Sequence, residues 1–305
     1  MPLLAAAQTA NASHTFPSKP VAVFLGGTSG IGQAMAEALA RYTKGDVHIV
    51  LCGRNRTAAE SIIASFPKST SSGAEAQHEF AQCDATLMSN IDTTTSALIS
   101  RLPKVNYLVL SSGFLSMSGR DDTSEGIDKR MALHYYGRWK FIHDLLPLLQ
   151  KASDAGEDAK VMTVLGAGNG GKIDLDDLAL RKNYSAARAG SASPTYSDLM
   201  TEVFAEKEPG ISFVHAYPGV VRTPLLNCVI KTLVYPISVS PEQCAEHMLY
   251  ALLAGSAGAS RRDNKGDDIG KKNYWGTEEA RKRLWDHTAD EISRAVNRMS
   301  SSFTL

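Results

Sequence analysis

Cysteine is scarce and scattered. Cys52, Cys83, Cys228 and Cys244 lie far apart and show no C-x-x-C spacing. In a chain of 305 residues they read as reduced, buried thiols of a cytoplasmic protein, and a disulfide framework is excluded. None of the eight histidines forms an H-x-x-x-H or H-x-x-E-H pattern, so no metal site is expected. An excess of cations is also missing. Lys plus Arg number 32 and Asp plus Glu number 32, a balance that argues against a nucleic-acid binder. Long apolar runs are absent. The longest in the C-terminal half, CVIKTLVYPISV (228–239), is broken by Lys231 and Pro236 and falls short of the ~20 residues of a spanning helix. It is expected to be core or a lid over a greasy ligand, with a membrane-surface contact as the alternative. The opening MPLLAAAQTANASHTFPSKP lacks the basic start and apolar centre of a secretory signal, and residues 1–19 read as a mobile arm. No internal repeat is visible.

The chain does have alternating strand and helix patterns, in a composition that is 43% hydrophobic and 21% charged. Strands are predicted at 21–26, 47–53, 78–84, 106–113, 160–168 and 211–219. Helical spacing separates them, including a long helix over 123–150 that starts at Thr123–Ser124. Because parallel neighbours need crossover helices, this alternation implies an α/β fold with a doubly wound parallel sheet in three layers, α/β/α. Residues 20–305 form one such domain with a C-terminal helical extension. The segment SRRDNKGDDIGKKN between the last two helices reads as a solvated loop.

The first predicted strand runs into FLGGTSGIGQAMA, which opens a helix. Gly26, Gly30 and Gly32 permit a tight turn, close approach of backbone to a pyrophosphate, and tight helix–sheet packing. Thr28, Ser29 and Ile31 complete the loop, and the helix N-terminus presents free N–H groups to an anion. At the end of the second strand, CGRN supplies Arg54 and Asn55 where an NAD-preferring site would have a carboxylate. A guanidinium there is a partner for a 2′-phosphate, so NADP(H) is the expected cofactor. Asp84 closes the third strand, where it can accept from an adenine amino group or cap the next helix.

These features resemble the short-chain dehydrogenase/reductase family over most of Val21–Leu253, with the Rossmann-like fold that the family implies. The glycine spacing G-x-x-x-G-I-G matches, and Ser112 and Gly113 of SSG stand where the family has its Asn-Ala-Gly turn. In HAYPGVVRTPL, Pro218, Gly219, Val221 and Thr223 would bracket the nicotinamide. The layout looks most like the retinol-dehydrogenase-like members and the reductase-like proteins of fungal secondary metabolism, and the family also implies a homodimer.

The resemblance implies an Asn, Ser, Tyr and Lys at the catalytic centre, and here the match fails. His134 stands at the Asn position. Val164, Leu165 and Gly166 occupy the Ser position without a hydroxyl, and Thr163 is a strand residue pointing elsewhere. Taking Tyr196 of YSDLM as the Tyr puts Met200 in place of the Lys; an ungapped register puts Gly190 and Pro194 at the two positions. The first register is preferred because proline is tolerated at a helix start and not inside one. Tyr136–Lys140 and Tyr184–Arg188 share the four-residue spacing but lie in the wrong elements. Tyr196 and His134 are thus the catalytic candidates, with His134 able to titrate near neutrality. Without the lysine, alcohol oxidation is impaired, because nothing holds a phenolate of ordinary pKa ~10 near neutral pH. Reduction of a carbonyl, enone or imine of a small lipophilic metabolite is the favoured activity. A redox-silent isomerase, cyclase or dehydratase, or a non-catalytic cofactor-binding protein, is the alternative.

Overall fold

The computed structural model describes residues 3–69, 78–224 and 235–302. Seven strands form one sheet: β1 (Val21–Leu25), β2 (His48–Gly53), β3 (Glu79–Gln82), β4 (Tyr107–Leu110), β5 (Lys160–Val164), β6 (Ser212–Ala216) and β7 (Gly258–Arg262). Their order is β3-β2-β1-β4-β5-β6-β7, and every pairing is parallel. The order reverses between β1 and β4, where the connections leave in opposite directions and open a crevice at the strands' C-terminal ends. Both faces of the sheet are covered, which is why VAVFL of β1 and YLVL of β4 are buried at every residue without polar alternation.

One face is covered by α2 (Gly30–Tyr42), α3 (Arg56–Ser65) and α8 (Pro241–Leu253). The small residues Ala34, Ala36, Ala38 and Ala40 let α2 pack closely, with Met35 and Leu39 filling the core. Ser240 and Gln243 form a capping box that starts α8, and Pro241 sits where its missing N–H costs nothing. The other face is covered by α4 (Met88–Arg101), α6 (Gly137–Asp154), α7 (Ala186–Lys207) and α9 (Glu278–Ser302). Between β4 and α6, a short α5 (Lys129–Met131) runs into a π-turn at Ala132–Tyr136.

Four details differ from the sequence expectations. The N-terminal arm is not free: α1 (Leu4–Ser13) packs on α8, and buried Asn11 donates Nδ2–H bonds of 2.9 Å to the carbonyl and to Oε2 of Glu246. The SRR stretch read as loop is strand β7, paired along its length with β6. The helix after β4 starts at Asp128, not Thr123. Asp128 Oδ1 accepts from the amides of Arg130 and Met131, a stronger cap than the threonine, which closes a turn around Gly126 instead. Finally, α7 runs unbroken through Pro194. Gly190, four residues back and solvent-exposed, can give its orphaned carbonyl to water. Among the described residues no helix is long and apolar enough to cross a membrane, and no cluster of three metal-ligating side chains occurs. Most of the apolar run 228–239 lies outside the described residues.

Candidate functional site

The crevice at the ends of β1 to β4 is a cleft of about 220 Å³. The glycine loop forms its floor. Gly26 has φ +89°, and a Cβ there would fall 2.6 Å from the amide nitrogen of Ser112. Only glycine lets the loop lie against the β4 turn. Gly30, with φ +59°, faces Thr223 across the cleft, where a Cβ would stand 3.1 Å from Cγ2. Gly32 lies beneath the loop, where a Cβ would meet Ser111 Oγ at 2.3 Å and Gly26 O at 2.5 Å. Ser29 adopts an extended backbone and makes no side-chain cap to α2, so the first-turn amides of that helix have no side-chain partner. A helix end left in this state favours an anion.

Arg54 follows β2 on the cleft wall, exposed and with no ion pair among the described residues. Next to it, Asn55 is the N-cap of α3, its Oδ1 accepting from Ala58 N–H at 3.0 Å. Asp84 lines the cleft at the end of β3. Its Oδ1 accepts from the amide and hydroxyl of Thr86, at 3.0 and 2.8 Å, which fixes the carboxylate in a turn. It is not the cap of α4. That end is held by Glu125, whose carboxylate takes the amides of Met88 and Ser89.

Of the expected site residues, Gly26, Thr28, Ser29, Gly30, Ile31, Arg54, Asp84, Ser112, Gly113 and Thr223 line this one cleft. Gly32 and Asn55 support it from behind. Pro218, Gly219 and Val221 form the loop that delivers Thr223; Gly219 turns it with φ +75°, and Val221 is buried. Sequence reasoning missed Cys83, Thr86, Ser111, Leu133 and Pro224, which also line the cleft. Cys83, Ser111, Leu133 and Pro224 each adjoin a residue it did find, and Thr86 lies two residues beyond Asp84; apart from Leu133 they sit just past the strands, where a crevice of this kind collects its contacts. The described cysteines are free and buried, as expected, and burial pushes the Cys83 thiol up to about 11.

The catalytic candidates do not assemble. Tyr196 is fully buried in α7 and does not line the cleft. Its hydroxyl donates to the carbonyl of Leu178 at 3.0 Å, its ring packs edge-on against Tyr135, and burial raises its pKa far above the ordinary phenol value. His134 is no neutral-range acid either. Its Nε2 accepts from the amide of Phe114 at 3.3 Å. Burial, with the cations Arg138 and Arg130 nearby, lowers its pKa to about 3. The preferred register of α7 is therefore corrected. Pro194, not Met200, meets the turn after β5: a Cβ at Gly166 would stand 2.9 Å from Pro194 Cγ. That contact leaves no room for any side chain at 166, serine included. Thr163 indeed points elsewhere, accepting from Arg138 Nη1. The two pairs that share the spacing are structural as well: Tyr136 bonds His287 and Lys140 pairs with Asp92 and Asp144, while Tyr184 packs against the core and Arg188 donates to the carbonyl of Asn183.

Comparison with known proteins places this geometry. The family model for short chain dehydrogenase matches residues 20–232. An oxidoreductase of Emericella nidulans, AN1596, is 32% identical over 257 residues, covering 80% of this chain and 75% of that protein. Human polyprenol dehydrogenase is 26% identical over 250 residues, covering 77% and 74% of the two chains. Among solved structures, NADPH-bound carbonyl reductase from chicken fatty liver superposes with a TM-score of 0.61 at 16% identity, over 83% of this chain and 99% of that one. A 3-ketoacyl-(acyl-carrier-protein) reductase from Brucella melitensis, complexed with NADH, gives 0.58 at 18% identity, over 82% and 99%. The chain belongs to the short-chain dehydrogenase family of oxidoreductases, whose members bind nicotinamide cofactors.

Proposed function

We propose that the protein is an NADP(H)-dependent reductase acting on a carbonyl, enone or imine of a small lipophilic metabolite. The observation that carries this reading is Arg54: an exposed guanidinium on the cleft wall beyond β2, with no carboxylate paired to it among the described residues. A ribose 2′-phosphate there gains a bidentate partner, and a bare ribose gains none. The glycine cradle and the uncapped start of α2 suit a pyrophosphate, and Ser112, Gly113 and Thr223 extend the same cleft to where a nicotinamide ring would lie. When bound, the cofactor would supply the hydride. The buried Tyr196 and the neutral His134 favour substrates whose electrophilic carbon needs little acid assistance, conjugated enones and iminium ions above all.

Titration of the purified protein with NADPH and NADH, followed by nicotinamide fluorescence, tests the reading. Wild type should bind NADPH in the micromolar range and more tightly than NADH. Arg54→Ala should weaken NADPH by about ten- to a hundredfold, the worth of a charge-assisted contact of about 1.5–3 kcal/mol, and leave NADH nearly unchanged. Binding of neither nucleotide would reject the reductase reading and leave a cofactor-free isomerisation or cyclisation in its place.

A further inference from the structure

Arg130 is buried, 9% exposed, in the short helix α5. Its Nη1 donates to the carbonyl of Ala186 at 2.9 Å. Its Nε and Nη2 are enclosed and have no hydrogen-bond partner, and the side chain makes no ion pair among the described residues. Asp128, the carboxylate nearest in sequence, is committed to backbone amides: Oδ1 to Arg130 and Met131, Oδ2 to Asp121. Arg120, in the preceding loop, is by contrast paired with Asp122. Arg138, the other guanidinium near His134, is satisfied by Thr163 and by the carbonyls of Val164 and Ser112. Arg130 alone of these three carries a charge with open donors. Leaving a buried donor unmade is destabilising, and an uncompensated buried charge is more so.

The two open nitrogens are also the right pair. Nε and Nη2 form one edge of the guanidinium plane, two parallel donors spaced to meet both oxygens of a carboxylate. Water could satisfy the donors singly but would leave the charge uncompensated. The position suits a ligand of the cleft. His134 lies four residues on, in the π-turn that continues α5, and its Nε2 is 3.3 Å from where a Cβ on the cleft residue Gly113 would stand. From the other side, Gly190 on α7 is solvent-exposed, and a Cβ there would be 3.9 Å from Arg130 Nη1. A side chain longer than glycine at this point would press on the guanidinium from its Nη1 side.

We propose that Arg130 is the substrate anchor and that the substrate is a lipophilic carboxylic acid, held through its carboxylate by the Nε–Nη2 edge while its electrophilic carbon lies toward Gly113. This rests on the reading of the cleft as the nicotinamide site and adds the substrate's charge to it.

The test uses the full chain labelled with ¹⁵N and the arginine Nε–H resonances, titrated with monocarboxylates graded from formate to octanoate and with their matched primary amides, with and without NADPH. The Arg130 signal, identified by its loss in Arg130→Lys, should move saturably with a carboxylate and stay fixed with the amide. Gly190→Leu, a change on an exposed helix face with only that one neighbour, should weaken the carboxylate about tenfold or more and leave NADPH affinity unaltered. It also carries the test if the lysine variant fails to fold. No movement with any carboxylate, or equal movement with the amides, overturns the anchor. Absence of NADPH binding in wild type overturns the reductase reading instead, whatever the carboxylates do.

Discussion

Asp198 Oδ1 lies 2.5 Å from His215 Nδ1, and both side chains are sealed from solvent. The other ring nitrogen of His215 accepts from the amide of Gly166 at 3.1 Å, which assigns the proton to Nδ1 and makes the aspartate its acceptor. The second carboxylate oxygen pairs with Arg261 at 3.0 Å. One carboxylate thus ties α7, β6 and β7 together, and through His215 it fixes the turn after β5. Asp198→Ala would strand a buried guanidinium and leave an imidazole N–H without an acceptor. Loss of one partner from such a pair costs about 3–5 kcal/mol. A denaturant titration of that variant should show it, and a loss below about 1 kcal/mol would mean that the network is far less coupled than its geometry implies.

The acid limb of stability should carry a histidine signature. His134 is held at about 3 and His78 at about 4, both below the ordinary 6.5 and both chiefly by burial. Each stays neutral in the fold while the unfolded chain takes up a proton. The unfolded state therefore binds more protons between about pH 6.5 and the folded value. The stability each neutral ring contributes is complete above pH 6.5 and is lost as pH falls through that window. The slope is at most about 1.4 kcal/mol per pH unit for each ring. His134→Gln keeps an acceptor for the Phe114 amide and removes the titration. Its stability curve should converge on or cross that of wild type between pH 6.5 and 4, whereas parallel curves would place His134 in a charged or solvated state.

The parallel sheet was legible because buried strands such as YLVL cannot be mistaken for amphipathic ones, and because the glycine loop sits at a strand-to-helix junction. Much of the cleft lining was legible because it falls in short runs just past the strands, at 25–31, 53–54, 83–86, 111–113 and 223–224. The catalytic centre was not. Proline disfavours helix interiors, which points Pro194 to a helix start, yet α7 carries it as its ninth residue. Tertiary contact with Gly166 outweighed the propensity, and the register shift turned Tyr196 into the core. Strand β7 escaped because GASRR has no apolar alternation. It is an edge strand, and its Arg261 is buried by an ion pair that lies far away in sequence. The Arg130 donors had no sequence signal at all, since what distinguishes them is the absence of partners in space.

Gly32→Ala gives a sharper test of the cleft than a surface charge does. In an ordinary exposed helix the change would stabilise by up to about 1 kcal/mol. Here the added carbon would stand 2.5 Å from Gly26 O and 2.3 Å from Ser111 Oγ, distances that force the glycine loop away from the β4 turn. The sign should reverse. The variant should melt lower than wild type and bind NADPH at least about tenfold more weakly, from about 1.4 kcal/mol or more of lost contact. Unchanged affinity would show that the nucleotide does not use the loop.

Tyr196→Phe separates a structural tyrosine from a catalytic one. The hydroxyl donates to Leu178 O inside the core, the rings of Tyr135, Tyr136 and Tyr196 pack in sequence there, and Tyr196 does not line the cleft. Removing that oxygen leaves one buried carbonyl unpaired and should cost about 1–3 kcal/mol of stability. NADPH affinity should be unchanged, and turnover of any enone or carbonyl substrate found by screening should stay within about twofold of wild type. A group transferring a proton in the transition state contributes about 10²–10⁴-fold, so a loss of that size would return Tyr196 to the active centre and require α7 to rotate during turnover. The phenylalanine variant also keeps the ring's packing, so a stability loss without a rate loss assigns the hydroxyl to the fold alone.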